Sequence, residues 1–244
     1  MNSFHRVKVM IRRKNPRFNR NSGIVVAVII IMLIAIVVTV LTQTPKQPSK
    51  PTNGDGLKVG DTFTYKLTGS TVLGGPGAVI PEEIWQYNET AYYQVTVTSI
   101  NGTQVLLSTL WQFNNGTQIT RPQIVDLSNG AKADPNGFWA LYSSNLNVKN
   151  LLHPKGTDGL IVNSTDTQKF ADSSRARNYW STESQFVDAN DTTGNTMRNV
   201  FVGVYFDKQT GMLDKLIHIE FFTNPEIELI ITWELTSSSV WAVQ

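Results

Sequence analysis

The chain of 244 residues contains no cysteine and only three histidines. The absence of cysteine excludes disulfide bonds, thioether-linked lipids and thiolate chemistry, whether nucleophilic or with zinc. A folded domain in this chain must therefore be stabilised by hydrophobic burial, and the residues after position 41 are numerous enough to provide a core.

Acidic residues are absent from the N-terminal tail, residues 1–22, which carries seven Lys or Arg. Charges of either sign are then absent from residues 23–41, a run of nineteen. At about 1.5 Å per residue, a helix of this length covers roughly the 30 Å of a bilayer's hydrocarbon core. The sequence predicts a single-pass protein of the cell membrane, with a cytoplasmic tail and with everything after residue 41 outside.

The remaining charge has the opposite sign. Residues 42–244 carry 14 basic and 19 acidic side chains, a net charge of −5. The basic charge is therefore confined to the tail beside the anionic inner leaflet, which favours membrane contact over nucleic-acid binding. We expect the membrane as a partner through residues 23–41 and no nucleic-acid partner.

Residues 42–56 have prolines at positions 45, 48 and 51 and almost no apolar side chains. Proline disfavours helix in the residue before it, so this stretch is predicted to be a semi-extended stalk. The outward domain then comprises residues 57–244. A pilin-like filament subunit is an alternative, because a cut next to Gly23 would release an apolar helix for assembly. The proline-rich stalk argues against that alternative.

The outward domain has the two-residue periodicity of strands. Tyr93, Val95 and Val97 alternate with polar residues and lead to Asn101-Gly102, a hairpin signal. A second strand is predicted over Gln104–Phe113, followed by a turn at residues 114–117.

Further strands are predicted at residues 160–170, 177–186, 199–206, 212–222 and 228–235, with turns at 207–211 and 223–225. Residues 138–142 are predicted to form a short helical turn and residues 145–155 a loop. The fold class is mainly β: after the membrane helix and stalk, a curved antiparallel sheet, a sandwich or a half-barrel.

Five stretches between residues 57 and 235 are informative together because of the order in which they occur. They are VGDTFTYKL, NGTQVLLSTLWQFNNGT, SSNLNVKNLL, KFADSSRARNYW and YFDKQTGML. In this order they resemble uncharacterised, membrane-anchored, β-rich surface proteins of archaea. The resemblance implies an outward β domain and transfers no catalytic residue.

Asn-Xaa-Ser/Thr acceptors for glycosylation are another feature of the outward region. They are Asn88, Asn101, Asn115, Asn163 and Asn190. Asn101 and Asn115 coincide with predicted hairpin turns, where a bulky glycan can be accommodated.

Catalytic groups are sparse outside the membrane. The two histidines there, His153 and His218, belong to no His-Glu-x-x-His motif, and the chain has neither a Gly-x-Ser-x-Gly elbow nor a phosphate loop. A weak polar cluster is predicted on one face of the last hairpin, comprising His218, Glu220, Glu228 and Glu234. A three-residue loop would place Glu220 opposite Glu228, whereas a five-residue loop would place it opposite Ile230.

The six tryptophans suggest a second kind of function. Flat rings can line a groove for sugar or lipid, although Trp111 and Trp233 occupy inward positions typical of a core. The sequence therefore favours a non-enzymatic, cofactor-free surface domain that interacts with other envelope proteins, glycans or lipid. The alternative is a carrier module for lipid or another hydrophobic ligand, which requires a cavity of a few hundred cubic ångströms.

Overall fold

A computed structural model describes residues 56–187 and 196–243. The predicted tail, membrane helix and stalk up to residue 55 lie outside these residues, as do Asn190 and Gln244. Within them the elements are β1 (Thr62–Leu73), α1 (Glu82–Asn88), β2 (Thr90–Asn101), β3 (Gln104–Phe113), β4 (Gln118–Asp126), β5 (Ser164–Lys169), β6 (Ser174–Val187), β7 (Met197–Asp207), β8 (Leu213–Thr223) and β9 (Glu226–Ser238). No helix in this described part is long and apolar enough to cross a bilayer.

All nine described strands form one open antiparallel sheet, in the order β4-β3-β2-β1-β9-β8-β7-β6-β5. Sequence neighbours pair in two meanders, and the pairing of β1 with β9 joins the two. The predicted mainly β, antiparallel class is confirmed. The second sheet of a sandwich is absent from the described residues.

Alternation along the strands decides which face of the sheet is buried. Phe63, Tyr65 and Leu67 of β1 are buried, as are the alternate residues of β2 from Tyr93 to Val97. This is the pattern expected of a sheet with one covered face. The predicted bounds of β3 and the inward face of β2 are confirmed.

The long connection between β4 and β5, residues 127–163, covers that face. Its residues Phe138, Leu141 and Tyr142 are buried in the same core as the strands. Tyr142 lies 4.5 Å from Phe206 of β7 between ring centroids. The connection therefore supplies the second layer that the sheet needs to bury its apolar side chains.

The helical turn predicted at residues 138–142 is wrong. Leu141 pairs with Met212 as an antiparallel bridge, and the amide of Tyr142 donates to the carbonyl of Gly211 at 3.0 Å. Hydrogen bonds to the turn after β7 therefore hold this segment extended. The apolar run is buried by contacts distant in sequence, which local propensity does not report.

Two arginines of β6 pair with three aspartates near the β5 edge, of which Asp207 and Asp214 are buried. Arg175 donates to both carboxylate oxygens of Asp207 at 2.8 and 3.0 Å. Arg177 donates to Asp166 and Asp214, each at 2.8 Å. Burial raises the pKa of Asp214 although Arg177 opposes the shift. These pairs fix the turn at 207–211 and the strands on either side of it.

Candidate functional site

A groove of about 530 Å³ lies on the covered face of the sheet. We call it the aromatic groove. Its lining residues are Gln86, Tyr87, Tyr93, Thr109, Trp111, Ile119, Arg121, Lys132, Pro135, Asn136, Gly137, Phe138, Trp139, Ala140, Leu213, Leu216, His218, Ile231 and Trp233. Six of these side chains are aromatic, which sets this surface apart as a candidate binding site.

The floor of the groove is built from inward positions of neighbouring strands. Tyr93 of β2 is paired in register with Trp111 of β3, and their ring centroids are 5.9 Å apart. Tyr93 also lies 4.8 Å from Trp233 of β9. The indole of Trp111 donates to the hydroxyl of Thr90 at 2.7 Å. The rings therefore have fixed orientations before any ligand arrives.

One wall is held by a buried amide. Gln123 of β4, 2% exposed, donates from Nε2 to the carbonyls of Asp134 and Phe138 at 3.0 and 3.1 Å. Its Oε1 accepts from the amides of Ile124 and Asp134 at 3.0 and 2.9 Å. Three of these four hydrogen bonds clamp residues 134–138 beside β4, and the fourth stays within β4.

The opposite wall is the short helix α1. Ile84 is buried against Ile227 and Leu229, and this contact seats the helix on the sheet. The carbonyl oxygen of the Asn88 side chain accepts from the amide of Gly69 at 2.9 Å and ties the end of the helix to β1. Tyr87 thereby reaches the groove and lies 6.1 Å from Trp111.

The described part of the lining has basic side chains but no acidic ones. Within the described residues the lining contains Arg121, Lys132 and His218 but no Asp or Glu. Arg121 pairs with Asp134 at 3.4 Å, whereas Lys132 lies 5.9 Å from the ring centroid of Trp139. Burial lowers the pKa of Lys132, with Asp134 opposing the shift. The groove thus combines apolar ring faces with positive charge at its rim.

The predicted polar cluster is divided between the two faces of the sheet. The last hairpin has a two-residue loop, so Glu220 is opposite Leu229, and neither predicted partner, Glu228 or Ile230, is correct. His218 and Glu220 share the groove face with Ile231, whereas Glu228 and Glu234 lie on the other face. A shift of one residue in register moves every side chain to the opposite face, which is why this prediction failed.

His218 and Glu220 instead meet Arg198 of β7. The Nε2 atom of His218 lies 2.8 Å from Glu220, and Arg198 forms two hydrogen bonds to the same carboxylate. Burial raises the pKa of Glu220, but the bonds from His218 and Arg198 outweigh it, so the pKa lies below its ordinary value. This triad supports the groove at His218.

The opposite pKa shifts of two glutamates predict opposite pH dependences. For Glu220 the lowered pKa adds stability above the ordinary glutamate pKa, which is lost as the pH falls through the folded value. The stability advantage of wild type over Glu220→Gln should therefore shrink in acid. Urea unfolding of both proteins, followed by tryptophan fluorescence at several pH values around the ordinary glutamate pKa, measures this difference in the free energy of unfolding.

Glu228→Gln is the matched comparison. Burial raises the pKa of Glu228, so its contribution is present in acid and lost as the pH rises through the folded value. The advantage of wild type over Glu228→Gln should thus fall with rising pH. Curves of the same slope for both variants would contradict the opposite pKa shifts of the two glutamates.

The tryptophans differ in their environments. Trp111, Trp139 and Trp233 line the groove, so the two assigned to inward strand positions are partly buried rather than fully enclosed. Trp180 and Trp241 are buried in the core, and Trp85 is 56% exposed. The inward positions of Trp111 and Trp233 were readable from strand alternation. Trp139 and Lys132 were missed because they lie in an irregular segment.

The glycosylation acceptors in the described residues lie at the surface. Asn88 ends α1, Asn101 ends β2, Asn115 is in the turn between β3 and β4, and Asn163 precedes β5; all four are exposed. Asn190 lies outside the described residues. Use of these acceptors stays a prediction.

Other candidate centres are not formed in the part of the chain that the structure describes. His153 pairs with Asp158 at 2.6 Å, separately from the His218 triad. The described residues contain no group of three or more His, Cys, Asp or Glu side chains placed to hold a metal ion. The chain matches no model of a known protein family and no curated protein sequence.

Proposed function

We propose that the β domain is a binding module that holds a small organic ligand in the aromatic groove. In this proposal the domain is displayed outside the cell by the predicted membrane helix at 23–41, as in the surface proteins that the sequence resembles. The observation that carries the proposal is a groove of about 530 Å³ lined by six aromatic side chains.

The size and construction of the groove support ligand binding over display alone. Pockets for small molecules have volumes of roughly 300–1,000 Å³ and are lined mainly by apolar and aromatic side chains with a few polar groups. The clamp at Gln123 and the bond from Trp111 to Thr90 hold the walls in place. A preformed site lowers the ordering cost of binding.

A curved, half-barrel arrangement of the sheet belongs with this proposal. Bulges interrupt the pairing of β1 with β9, β2 with β3 and β7 with β8, and bulges increase local twist. The segment 127–163 also contacts both meanders, through Phe138 against Tyr65 and through Tyr142 against Phe206. Both features support a sheet that curves around the aromatic groove.

The test uses N-phenyl-1-naphthylamine, a neutral probe with two aromatic rings. We expect the full chain in nanodiscs to bind it with energy transfer from tryptophan, since three tryptophans line the groove. Trp111→Leu should weaken binding by about tenfold because it removes a stacking face. Empty nanodiscs of the same lipid provide the blank for probe dissolved in the bilayer.

A matched pair on β4 locates the site. Ile119 lines the groove, whereas Ile124 is on the other face of the same strand, and they are 37% and 38% exposed. Ile119→Asn should weaken probe binding several-fold, and Ile124→Asn should leave it unchanged. Equal effects of the two substitutions, or no saturable binding by wild type, would refute the proposed function.

A further inference from the structure

The described lining of the groove has basic side chains and no acidic ones, although the domain is negative overall. Residues 42–244 have 14 basic against 19 acidic side chains, so a random patch of this surface would contain more acidic than basic groups. The described lining has two permanent cations, a histidine and no carboxylate. This distribution opposes the charge of the whole domain and favours an anionic occupant by electrostatic complementarity.

Lys132 is placed to meet such an occupant. It pairs with Val125 as an antiparallel bridge beside the edge strand β4. Because paired residues point to the same face and Val125 is buried, the lysine side chain is directed to the covered face of the sheet. Its ammonium lies over the ring of Trp139, which is part of the groove.

The ammonium of Lys132 has no carboxylate within ion-pair distance among the described residues. Asp134, the acidic residue nearest in sequence, pairs with Arg121. Partial burial lowers the pKa of Lys132, and the charge of Asp134 opposes the shift. A ligand anion at this position would supply the missing opposite charge.

We propose that the groove binds an organic anion whose apolar or aromatic body packs on the rings and whose anionic group pairs with Lys132, at a rim shared with Arg121. This inference rests on the proposed function and specifies its ligand class. A carboxylate, sulfonate or phosphate group has the required charge. The apolar floor selects against small inorganic anions, because only an organic body can cover the ring faces.

The test compares two probes that differ in one group. 8-Anilinonaphthalene-1-sulfonate has the same ring system as N-phenyl-1-naphthylamine with a sulfonate added. In the full chain in nanodiscs, Lys132→Gln should weaken binding of the sulfonate about five- to tenfold and change binding of the neutral probe less than about twofold. Lys132→Arg, which keeps the charge, should retain most of the sulfonate affinity.

Lys66→Gln is the control, since Lys66 is exposed on β1 and points away from the buried face that Tyr65 and Leu67 define. It should leave the affinity for both probes unchanged. Raising the salt concentration should weaken sulfonate binding to wild type and not binding of the neutral probe.

The outcomes separate the two proposals. If Lys132→Gln changes neither affinity, or lowers both equally, the anion proposal is overturned while the groove remains a binding site. If Ile119→Asn and Ile124→Asn change the affinity for the neutral probe equally, the proposed function fails and the anion proposal fails with it.

Discussion

Replacing Gly211 by alanine is expected to destabilise the β domain by about 3–5 kcal/mol. Gly211 has φ +78°, a left-handed conformation that costs an L-residue energy. An added Cβ would also overlap the carbonyl oxygen of Tyr142. Tyr142 cannot move away without breaking the hydrogen bond from its amide to the Gly211 carbonyl. The substitution therefore separates the 127–163 segment from the turn after β7.

Gly116→Ala is the matched control. Gly116 has φ +87°, and no atom lies within 4 Å of its added Cβ. The free energy of unfolding of this variant should fall only by the cost of the left-handed conformation, about 1–2 kcal/mol. Urea unfolding of the full chain measures both, and every tryptophan lies at or after residue 85, so fluorescence reports on the β domain. Equal losses in the two variants would show that the segment is not tightly docked at Tyr142.

Gln123→Leu should affect both stability and binding. It leaves the carbonyls of Asp134 and Phe138 and the amide of Asp134 without their partner, which costs about 2–4 kcal/mol. Because these groups fix one wall of the groove, the affinity for N-phenyl-1-naphthylamine should also fall, by about tenfold. Urea unfolding and probe titration measure the two effects separately.

Gln118→Leu makes the same substitution at an exposed position of β4 and should change stability by less than about 0.5 kcal/mol, with probe affinity retained. The role of Gln123 as a positioning residue predicts a binding defect under conditions where the variant is still folded. Probe affinity equal to that of wild type in folded Gln123→Leu would rule that role out.

Only part of the aromatic groove could be predicted from the sequence. Trp111 and Trp233 were assigned inward positions because each lies in an alternating strand, and both line the groove. Their convergence with Phe138 was not predictable, since Phe138 is brought to the sheet by a long connection without periodicity. The clamp at Gln123 had no sequence signal, because a single glutamine in a strand is ordinarily a surface residue.

The last hairpin shows where local patterns mislead. Ile217, Ile219 and Phe221 form an apolar alternation that indicates a buried face, yet His218 and Glu220 share the groove face. In β9 the apolar residues Leu229, Ile231, Trp233 and Leu235 alternate with mostly polar ones, which predicts that they face inward, and Leu229 and Leu235 are indeed buried. From Ile217 to Phe222 of β8 the side chains on both faces are only partly buried, so alternation alone did not identify the inward face.

Sequence by itself determined most of the strands, because side-chain alternation and turn residues act over a few positions. It did not determine the register of the last hairpin, where Glu220 lies opposite Leu229. Only the tertiary structure decided the pairing of β1 with β9, where Tyr65 lies opposite Leu235, and the docking of residues 127–163 on the sheet. Both depend on contacts between residues far apart in the chain, which no local periodicity encodes. The aromatic groove and its basic rim are products of those two long-range events.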